Sequence, residues 1–260
     1  MKRTPIAICL DDFPTEFHPL LSGADVYDSS CSPEARVIFI DKDEGYYLKS
    51  ASKGKLQKEA EMTDFFAKKR LSATVLSYLS KECDWLLTTR VAGEDCTHAQ
   101  YLENPTRLCD TTATLLRALH ETDFKNCPVP NRTAEYLATA EKNFLLGHYD
   151  ISLTPDKPCP TAAESWKIVE EGKHLLKTDT LLHGDYCLPN IMLDNWHFRG
   201  FIDLDGAGVG DRHIDLFWGA WTLRFNLYTD RYRQRFFDAY GRDKIDPAII
   251  ELIETIERFE

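Results

Sequence analysis

The sequence predicts an α+β protein of two lobes, with an antiparallel sheet lobe over residues 1–92 and a mainly helical lobe over residues 93–260. Two observations support this division. The first ninety residues alternate between short apolar runs and turn residues, which is typical of strands. After Gly93, apolar residues recur at the spacing of helices. With 260 residues, the chain is long enough to build a core in each lobe.

Strands and turns follow one another through the sheet lobe. A turn over residues 41–45 separates two strand-like runs, and a turn over residues 81–84 separates two more. Between these pairs, Leu56, Ala60 and Phe65 have the spacing of one helix face. The predicted strands are residues 24–30, 35–40, 46–49, 75–79 and 85–89, and the predicted helix is residues 55–69.

The helical lobe follows a predicted hinge over residues 88–93. Within it, a short hairpin is expected because two apolar runs flank the turn residues 194–197. Prolines at 155, 158 and 160 indicate a loop between two of the helices. The predicted helices are residues 98–120, 133–146, 161–176, 213–225, 230–240 and 247–259, and the hairpin strands are residues 191–193 and 200–203.

The net charge of −11 argues against a nucleic-acid-binding protein. Neutralising phosphates requires a basic face, which this composition does not favour. The negative charge is compatible with a cationic small-molecule ligand, but taken alone it favours a role in solubility.

The sequence also indicates where the protein works. No apolar run approaches the roughly 18 residues of a membrane span, and the apolar stretch near the amino terminus is too short for a secretory signal. Eight cysteines include no Cys-x-x-Cys pair, so they suggest neither a zinc site nor a redox motif. We therefore expect a cytoplasmic protein with no membrane segment and no obligate protein partner.

Asp185, Asn190 and Asp203 carry the strongest chemical signal in the sequence. Asn190 precedes the predicted hairpin and Asp203 ends it, so the two residues should be neighbours. Their oxygens are the hard ligands that Mg²⁺ uses when nucleotide phosphates complete its coordination shell. Asp185, five residues before Asn190, could then orient an acceptor hydroxyl for phosphoryl transfer. Two alternatives stay open: these residues also cap turns, and His183 with the acids could form a metal hydrolase site.

The order of these residues resembles a known family. His183-Gly184-Asp185, followed by residues 188–192 and then Gly200-Phe201-Ile202-Asp203, is similar to the aminoglycoside phosphotransferases, and most similar to the 3′-phosphotransferases. The resemblance implies a protein-kinase-like fold with a nucleotide cleft between two lobes. It also implies ATP as phosphoryl donor, with GTP possible, Mg²⁺ as cofactor, and a small cationic acceptor.

The resemblance also implies roles for the residues that match. Asp185 resembles the catalytic aspartate, and Asn190 and Asp203 resemble the two Mg²⁺ ligands. Lys49 resembles the strand lysine that contacts the α- and β-phosphates. Glu59 aligns best with the helix glutamate that pairs with this lysine.

Some of these positions have alternatives. Glu61, two residues after Glu59, could be the partner of Lys49 instead. Ser32 lies in the loop that covers the phosphates in the family. Tyr47 matches an aromatic residue that stacks on adenine in some members, although it could equally pack within its strand. Thr89 and Val91 would offer backbone groups to the adenine edge.

The acceptor site is expected where the chain departs from the family. Asp205 stands two residues after the metal-ligand position, where the family has no second acid. Arg258 falls where an acid is usual, and a cation there would repel a cationic drug unless it points away. The candidate acceptor-binding residues are Asp150, Asp156, Asp205, Glu257 and Phe259.

Three functions therefore remain in competition at the level of the sequence. The first is an ATP-dependent aminoglycoside phosphotransferase that confers resistance, or a kinase of another hydroxyl compound such as choline, a sugar or a macrolide. The second is a non-catalytic nucleotide-binding protein of kinase-like fold. The third is the metal hydrolase.

Overall fold

The computed structural model describes residues 3–152 and 160–260. Within them the chain forms two compact units. The first comprises the residues up to Cys96 together with Pro189–Asp205, and the second comprises Thr97–Leu188 and Gly206–Glu260.

A six-stranded antiparallel sheet forms the body of the first unit. Between its third and fourth strands, Gly45 has φ +88°, and a Cβ there would lie 2.8 Å from the ring of Phe39, so this turn requires glycine. In spatial order, the strands are β1 (Thr4–Pro5), β2 (Asp25–Asp28), β3 (Ala35–Asp41), β4 (Tyr46–Ser52), β6 (Cys83–Thr89) and β5 (Val75–Ser80).

Each face of this sheet is covered by different residues. On one face, Ile38 and Leu48 pack with Phe13 and Phe17 from the segment that carries the short helix α1 (His18–Leu21). On the other face, helix α2 (Gln57–Lys68) places Ala60 against Leu86. Side chains alternate between the two faces along a strand, so neighbouring residues of β4 point to different cores.

A second, three-stranded sheet belongs to the same unit. It contains β7 (Glu94–Asp95), β9 (Ile191–Asp194) and β10 (His197–Phe201) in the order β10-β9-β7. Gly93 allows this pairing, because a Cβ there would lie 2.2 Å from the carbonyl oxygen of Leu193. The hairpin thus joins the first unit, whereas we had expected residues 93–260 to form one lobe. Pairing between segments a hundred residues apart leaves no local signal in the sequence.

The second unit is mainly helical and holds one two-stranded sheet. Its strands are β8 (Thr180–Leu182) and β11 (Gly208–Gly210), and its helices are α3 (Ala99–Leu102), α4 (Pro105–His120), α5 (Arg132–Leu145), α6 (Ala162–Gly172), α7 (His213–Leu227), α8 (Arg233–Tyr240) and α9 (Pro247–Ile256). A buried apolar cluster that includes Ile214, Phe217 and Ile253 forms its core.

Some helix boundaries differ from the predicted ones. The helix expected over residues 98–120 is broken, because Pro105 cannot donate a backbone hydrogen bond and favours the first turn of a new helix. The helices expected to run to residues 176 and 259 end at Gly172 and Ile256, and each continues as a short 3₁₀ turn. Among the described residues, no helix has both the length and the apolar character needed to cross a membrane.

Candidate active site

Lys49 forms an ion pair with Glu59 inside the first unit. Leu48 points into the core on one face of the sheet, so Lys49 points to the opposite face, where its strand neighbour Leu86 packs under α2. The ammonium nitrogen lies 2.7 Å from Oε2 of Glu59. Glu61 is exposed and accepts a hydrogen bond from Gln57, so the pair forms with Glu59 rather than with the alternative.

Asp203 is the second acid beside Lys49. Its Oδ1 accepts a hydrogen bond from the ammonium nitrogen at 3.1 Å. Burial alone would lower the pKa of Lys49, but the charges of Glu59 and Asp203 outweigh burial and raise it. Burial and the neighbouring Asp203 raise the pKa of Glu59, although Lys49 opposes this shift. Lys49 is therefore held as a cation between two carboxyl groups.

Asn190 and Asp203 flank the end of the hairpin, as predicted. The backbone N–H of Ile202 donates a hydrogen bond to the carbonyl oxygen of Asn190 at 3.1 Å, which continues the pairing of β9 with β10. Asp203 has φ +59°, an uncommon backbone conformation for a residue other than glycine. Non-glycine residues in this conformation concentrate at functional sites.

The chemistry of this pair fits Mg²⁺. One carboxylate and one amide oxygen are hard donors, and Mg²⁺ is commonly held by one or two such groups while phosphates and water complete its shell. The side chain of Asp203 is half exposed, so it can accept a ligand. The hydrolase alternative requires a group of three or more histidine, cysteine, aspartate or glutamate residues that could hold a metal ion by itself. No such group is found among residues 3–152 and 160–260.

In the second unit, Asp215 holds the segment that carries Asp185. The backbone N–H groups of His183 and Gly184 donate hydrogen bonds to the two carboxylate oxygens of Asp215, at 2.7 Å and 2.8 Å. Gly184 is required here, because a Cβ would lie 1.8 Å from the carbonyl oxygen of Gly206. These contacts fix the backbone on which Asp185 stands.

His120 connects Asp215 to helix α8. Its Nε2 lies 3.1 Å from Oδ2 of Asp215, and its Nδ1 lies 2.8 Å from the hydroxyl oxygen of Tyr240. A carboxylate only accepts, so Nε2 donates to Asp215 and Nδ1 accepts from Tyr240. Burial lowers the pKa of His120 although Asp215 opposes the shift, and a lower pKa favours the neutral ring. The supporting roles of His120 and Tyr240 were not predicted.

His183 and Asp211 make further supporting contacts in the second unit. The N–H of Asp185 donates to Nδ1 of His183 at 3.3 Å. Asp211 accepts from the N–H of Lys177 at 2.7 Å and of His213 at 2.9 Å, so it caps the start of α7. Burial alone would raise the pKa of Asp211, but the hydrogen bond with the imidazole of His213, and then those from the two N–H groups, lower it.

The remaining nucleotide candidates lie in the first unit. Ser32 is exposed in the loop between β2 and β3. Tyr47 packs 5.2 Å from the ring of Phe39, and its hydroxyl oxygen accepts a hydrogen bond from Arg3. The N–H of Thr89 is occupied by the carbonyl oxygen of Thr74, and the side chain of Val91 is buried. Their roles towards a nucleotide stay predictions.

Three of the five acceptor candidates, Asp150, Glu257 and Phe259, lie in the second unit, where the N–H of Asp150 donates a hydrogen bond to the carbonyl oxygen of Arg258 at 2.8 Å. Asp205 lies in the first unit, 4.0 Å from the ammonium of Lys58. Asp150 accepts hydrogen bonds from the backbone N–H and the hydroxyl of Ser152. Asp156 lies outside the described residues.

Glu257 and Phe259 are buried in the second unit. The hydroxyl of Tyr136 and the indole N–H of Trp218 donate hydrogen bonds to Oε1 of Glu257, at 2.9 Å and 3.0 Å. Burial, and then the charge of Glu260, raise the pKa of Glu257 to about 8. The ring of Phe259 is fully buried and packs between aromatic side chains, so its contact with an acceptor stays a prediction.

Arg258 does not present its charge at the surface. The residue is 6% exposed, and its Nη1 donates a hydrogen bond to the hydroxyl oxygen of Tyr149 at 3.3 Å. The repulsion that its place in the sequence suggested is therefore reduced, because the guanidinium is directed into the helical unit.

Comparison with known proteins decides the family. The phosphotransferase enzyme family matches residues 33–252, most of the chain. The chain belongs to this family. It is also 53% identical over 255 residues to a probable aminoglycoside 3′-phosphotransferase of Lactococcus lactis subsp. lactis (strain IL1403), a match that covers 98% of this chain and 97% of the relative. The resemblance inferred from residues 183–192 and 200–203 is thus confirmed.

Solved structures confirm the predicted fold class. The structure is similar to the crystal structure of a type VIII aminoglycoside-3′-phosphotransferase, with a TM-score of 0.78, 21% identity and coverage of 96% of this chain and 99% of the other. It is also similar to an aminoglycoside phosphotransferase of Streptomyces rimosus in complex with ADP and streptomycin, with a TM-score of 0.72, 20% identity and coverage of 97% and 99%. Because these identities are 21% and 20%, the similarity is evidence for the fold alone.

Proposed function

We propose that this phosphotransferase moves the γ-phosphate of ATP to the 3′-hydroxyl of a kanamycin- or neomycin-type aminoglycoside. The relative with 53% identity is a probable enzyme of this kind and matches almost the whole chain. The structure with ADP and streptomycin supports a nucleotide and an aminoglycoside as ligands of this fold. We place the reaction in the cytoplasm, where ATP is available, and expect it to confer resistance.

One observation of the structure carries the proposal. Lys49 is held by Glu59 and Asp203, and Asp203 stands at the end of the hairpin that Asn190 begins. A restrained ammonium is suited to contact nucleotide phosphates, because its position is set before the ligand arrives. Ser32, Tyr47, Thr89 and the backbone near Val91 would add further contacts to the nucleotide.

Asp185 is the catalytic residue of the proposed reaction. The oxygen of the acceptor hydroxyl forms a bond to the γ-phosphorus, the bond from this phosphorus to the β,γ-bridging oxygen breaks, and ADP leaves. The carboxylate of Asp185 orients the hydroxyl and accepts its proton. Asn190 and Asp203 would hold Mg²⁺, which when bound supplies positive charge to the phosphates.

A coupled assay of ADP release tests this function. We expect ADP release with ATP to rise strongly when kanamycin or neomycin is added, and mass spectrometry and NMR to locate the new phosphate at the 3′-oxygen. Parallel reactions with GTP examine the donor. If neither drug releases more ADP than the enzyme alone, the aminoglycoside assignment is wrong.

The same assay separates the other candidates. Turnover with choline, a simple sugar or a macrolide, but with no aminoglycoside, would identify a kinase of another acceptor. Binding of Mg²⁺-ATP without transfer to any acceptor would identify a non-catalytic protein. Expression in a susceptible bacterium, with Asp185→Asn as matched control, tests whether active protein raises the inhibitory concentration of kanamycin.

A further inference from the structure

Three aromatic side chains lie side by side across strands β2, β3 and β4 of the large sheet. The strand register places Tyr27 opposite Phe39, and Phe39 opposite Tyr47. The ring centroids are 6.1 Å apart for the first pair and 5.2 Å apart for the second. Because directly opposed residues point to the same face of a sheet, the three rings form one aromatic row.

The aromatic row shares its face of the sheet with Lys49. Side chains two residues apart on a strand point the same way, so Tyr47 and Lys49 lie on one face of β4. Leu48, between them, is buried with Phe13 in the core of the opposite face. The row therefore lies on the face where Lys49 pairs with Glu59, and all of these residues belong to the first unit.

Arg3, just before β1, lies over the aromatic row. The central carbon of its guanidinium is 3.6 Å from the ring centroid of Phe39 and 5.8 Å from that of Tyr47. Its Nη2 donates a hydrogen bond to the hydroxyl oxygen of Tyr47 at 3.0 Å. The planar guanidinium is itself restrained by stacking on Phe39, so this hydrogen bond restrains the ring of Tyr47 in turn. Phe39 is only 1% exposed, whereas Tyr47 is partly exposed and is the ring of the row next to Lys49.

A second arginine of the same sheet makes a comparable contact on the other face. The guanidinium of Arg36, on β3, lies 5.5 Å from the ring centroid of Phe13. Phe13 belongs to the core that also contains Ile38 and Leu48. Both arginines thus stack on a phenylalanine, but Arg3 also binds a side chain on the face of Lys49. Comparing the two separates stabilisation of the sheet from an effect on a ligand.

We propose that Arg3 is a positioning residue for the donor nucleotide, because it fixes the ring of Tyr47 on which the nucleobase stacks. This rests on the proposed function, which gives Tyr47 a contact with the nucleotide and Lys49 a contact with its phosphates. A ring that is already held by a hydrogen bond loses little conformational freedom when the base arrives, so binding is tighter. Every base has an aromatic face, so the restraint serves adenine and guanine alike.

Two variants remove the hydrogen bond from its two ends. In Arg3→Ala and in Tyr47→Phe, we expect the KM for ATP to rise about 5-fold, with kcat and the KM for kanamycin unchanged. The double variant should be no weaker than either single variant, because both changes remove the same contact. Arg36→Ala is the matched control and should leave the KM for ATP unchanged. If the two single effects add, Arg3 acts independently of Tyr47 and the proposal is wrong.

Inhibitors that carry one part of the nucleotide show which part Arg3 affects. Adenosine has the base without phosphates, and tripolyphosphate has the phosphates without a base. In Arg3→Ala, the inhibition constant of adenosine should rise about 5-fold, as for ATP, because Tyr47 is no longer held for stacking. The inhibition constant of tripolyphosphate should stay unchanged. If adenosine is unaffected, or if tripolyphosphate is weakened, Arg3 does not act through the base and the positioning role is overturned.

The outcomes separate this proposal from the proposed function. If the wild type phosphorylates kanamycin and both single variants keep its KM for ATP, the positioning role is wrong and the function stands. If the wild type transfers to no aminoglycoside, the function is wrong, and calorimetric titration with Mg²⁺-ATP then tests Arg3 directly. Binding that is weaker in Arg3→Ala than in Arg36→Ala supports the role, and equal or absent binding overturns it.

The fold of each variant is checked separately. Circular dichroism and thermal unfolding show whether Arg3→Ala and Arg36→Ala retain the native structure. If both lose the same stability and the same affinity for ATP, the contact of Arg3 only stabilises the sheet and the positioning role is overturned. Tyr47→Phe removes a single hydroxyl group, so it provides the measurement if Arg3→Ala does not fold.

Discussion

Two pairs of acidic side chains, one pair in each compact unit, are held in different ways. In the first, Glu59 and Asp203 share the cation of Lys49, at 2.7 Å and 3.1 Å. In the second, Asp215 and Glu257 are buried and accept hydrogen bonds from uncharged groups: backbone N–H, imidazole, phenol and indole.

We interpret the acids beside Lys49 as groups that bind a ligand, and the two buried acids of the second unit as groups that support the fold. The side chain of Asp203 is 52% exposed, so its partner can be exchanged for a ligand without opening a core. Asp215 is fully buried, and its donors are fixed by the fold. We therefore expect changes in the first group to alter nucleotide binding, and changes in the second to alter folding and the position of Asp185.

The largest effect is expected for Asp185. Asp215 holds the backbone just before it, but Asp185 belongs to neither of the two pairs of acids. Asp185→Ala should lower kcat with kanamycin by about 10³-fold, because orientation of the hydroxyl and acceptance of its proton act in the transition state. Affinity for Mg²⁺-ATP, measured by calorimetry, should be nearly unchanged. An equal loss of affinity and turnover would contradict the role assigned to Asp185.

Glu257 tests how a buried acid that accepts hydrogen bonds from uncharged groups responds to pH. Its pKa is about 8 in the folded state against an ordinary value of 4.5, so the folded protein keeps a proton that the unfolded chain loses. The free energy of unfolding should therefore fall as pH rises from about 5 to 8, by at most about 1.4 kcal/mol per pH unit. Below this range, the stabilisation is fully present.

Urea denaturation at several pH values measures this effect. Glu257→Gln keeps an acceptor for Tyr136 and Trp218 but has no proton to lose, so its stability relative to the wild type should grow between pH 5 and 8. Glu251→Gln, on the exposed side of α9, is the matched control and should follow the wild type. Parallel curves for all three proteins would show that Glu257 is ionised in the folded state.

Removal of Asp215, the other buried acid of the second unit, should destabilise the fold at every pH. Asp215→Ala leaves the N–H groups of His183 and Gly184 without their acceptor, and also frees His120. We expect a loss of about 3 kcal/mol in the free energy of unfolding, because buried donors lose their partners. Asp230→Ala, at an exposed site, should change it little. Equal stability of the two variants would contradict the supporting role.

The sequence could predict the parts of the site that are local. The hairpin between Asn190 and Asp203 follows from two apolar runs and a turn, and Lys49 and Glu59 were matched through family resemblance and helix spacing. The contact of His120 with Asp215 joins residues 95 positions apart, and nothing near either residue indicates it. Alternation and spacing describe one element at a time, whereas such contacts depend on how elements pack.

The same limit applies to helix α7 and to the unit boundary. The spacing of Trp218, Trp221 and Phe225 is visible in the sequence, but it fits a buried helix face as well as an exposed one. Only the packing of α7 shows that Phe225 is exposed. The boundary near residue 96 depends on the pairing of β7 with β9, which the sequence does not indicate.

The smallest effect is expected for Glu59, the glutamate of α2 that is ion-paired with Lys49. Glu61, on the same helix, is its control. Glu59→Gln removes the charge that restrains Lys49, while Asp203 still neutralises the ammonium, so the fold should lose little stability. The KM for ATP should rise about 10-fold, as expected for the loss of one charged hydrogen bond that positions a ligand contact. Glu61→Gln changes the exposed neighbour in the same way and should leave the KM unchanged. If both variants behave alike, the pair seen at Lys49 does not position it for nucleotide, and the contrast between the two units no longer separates binding from support.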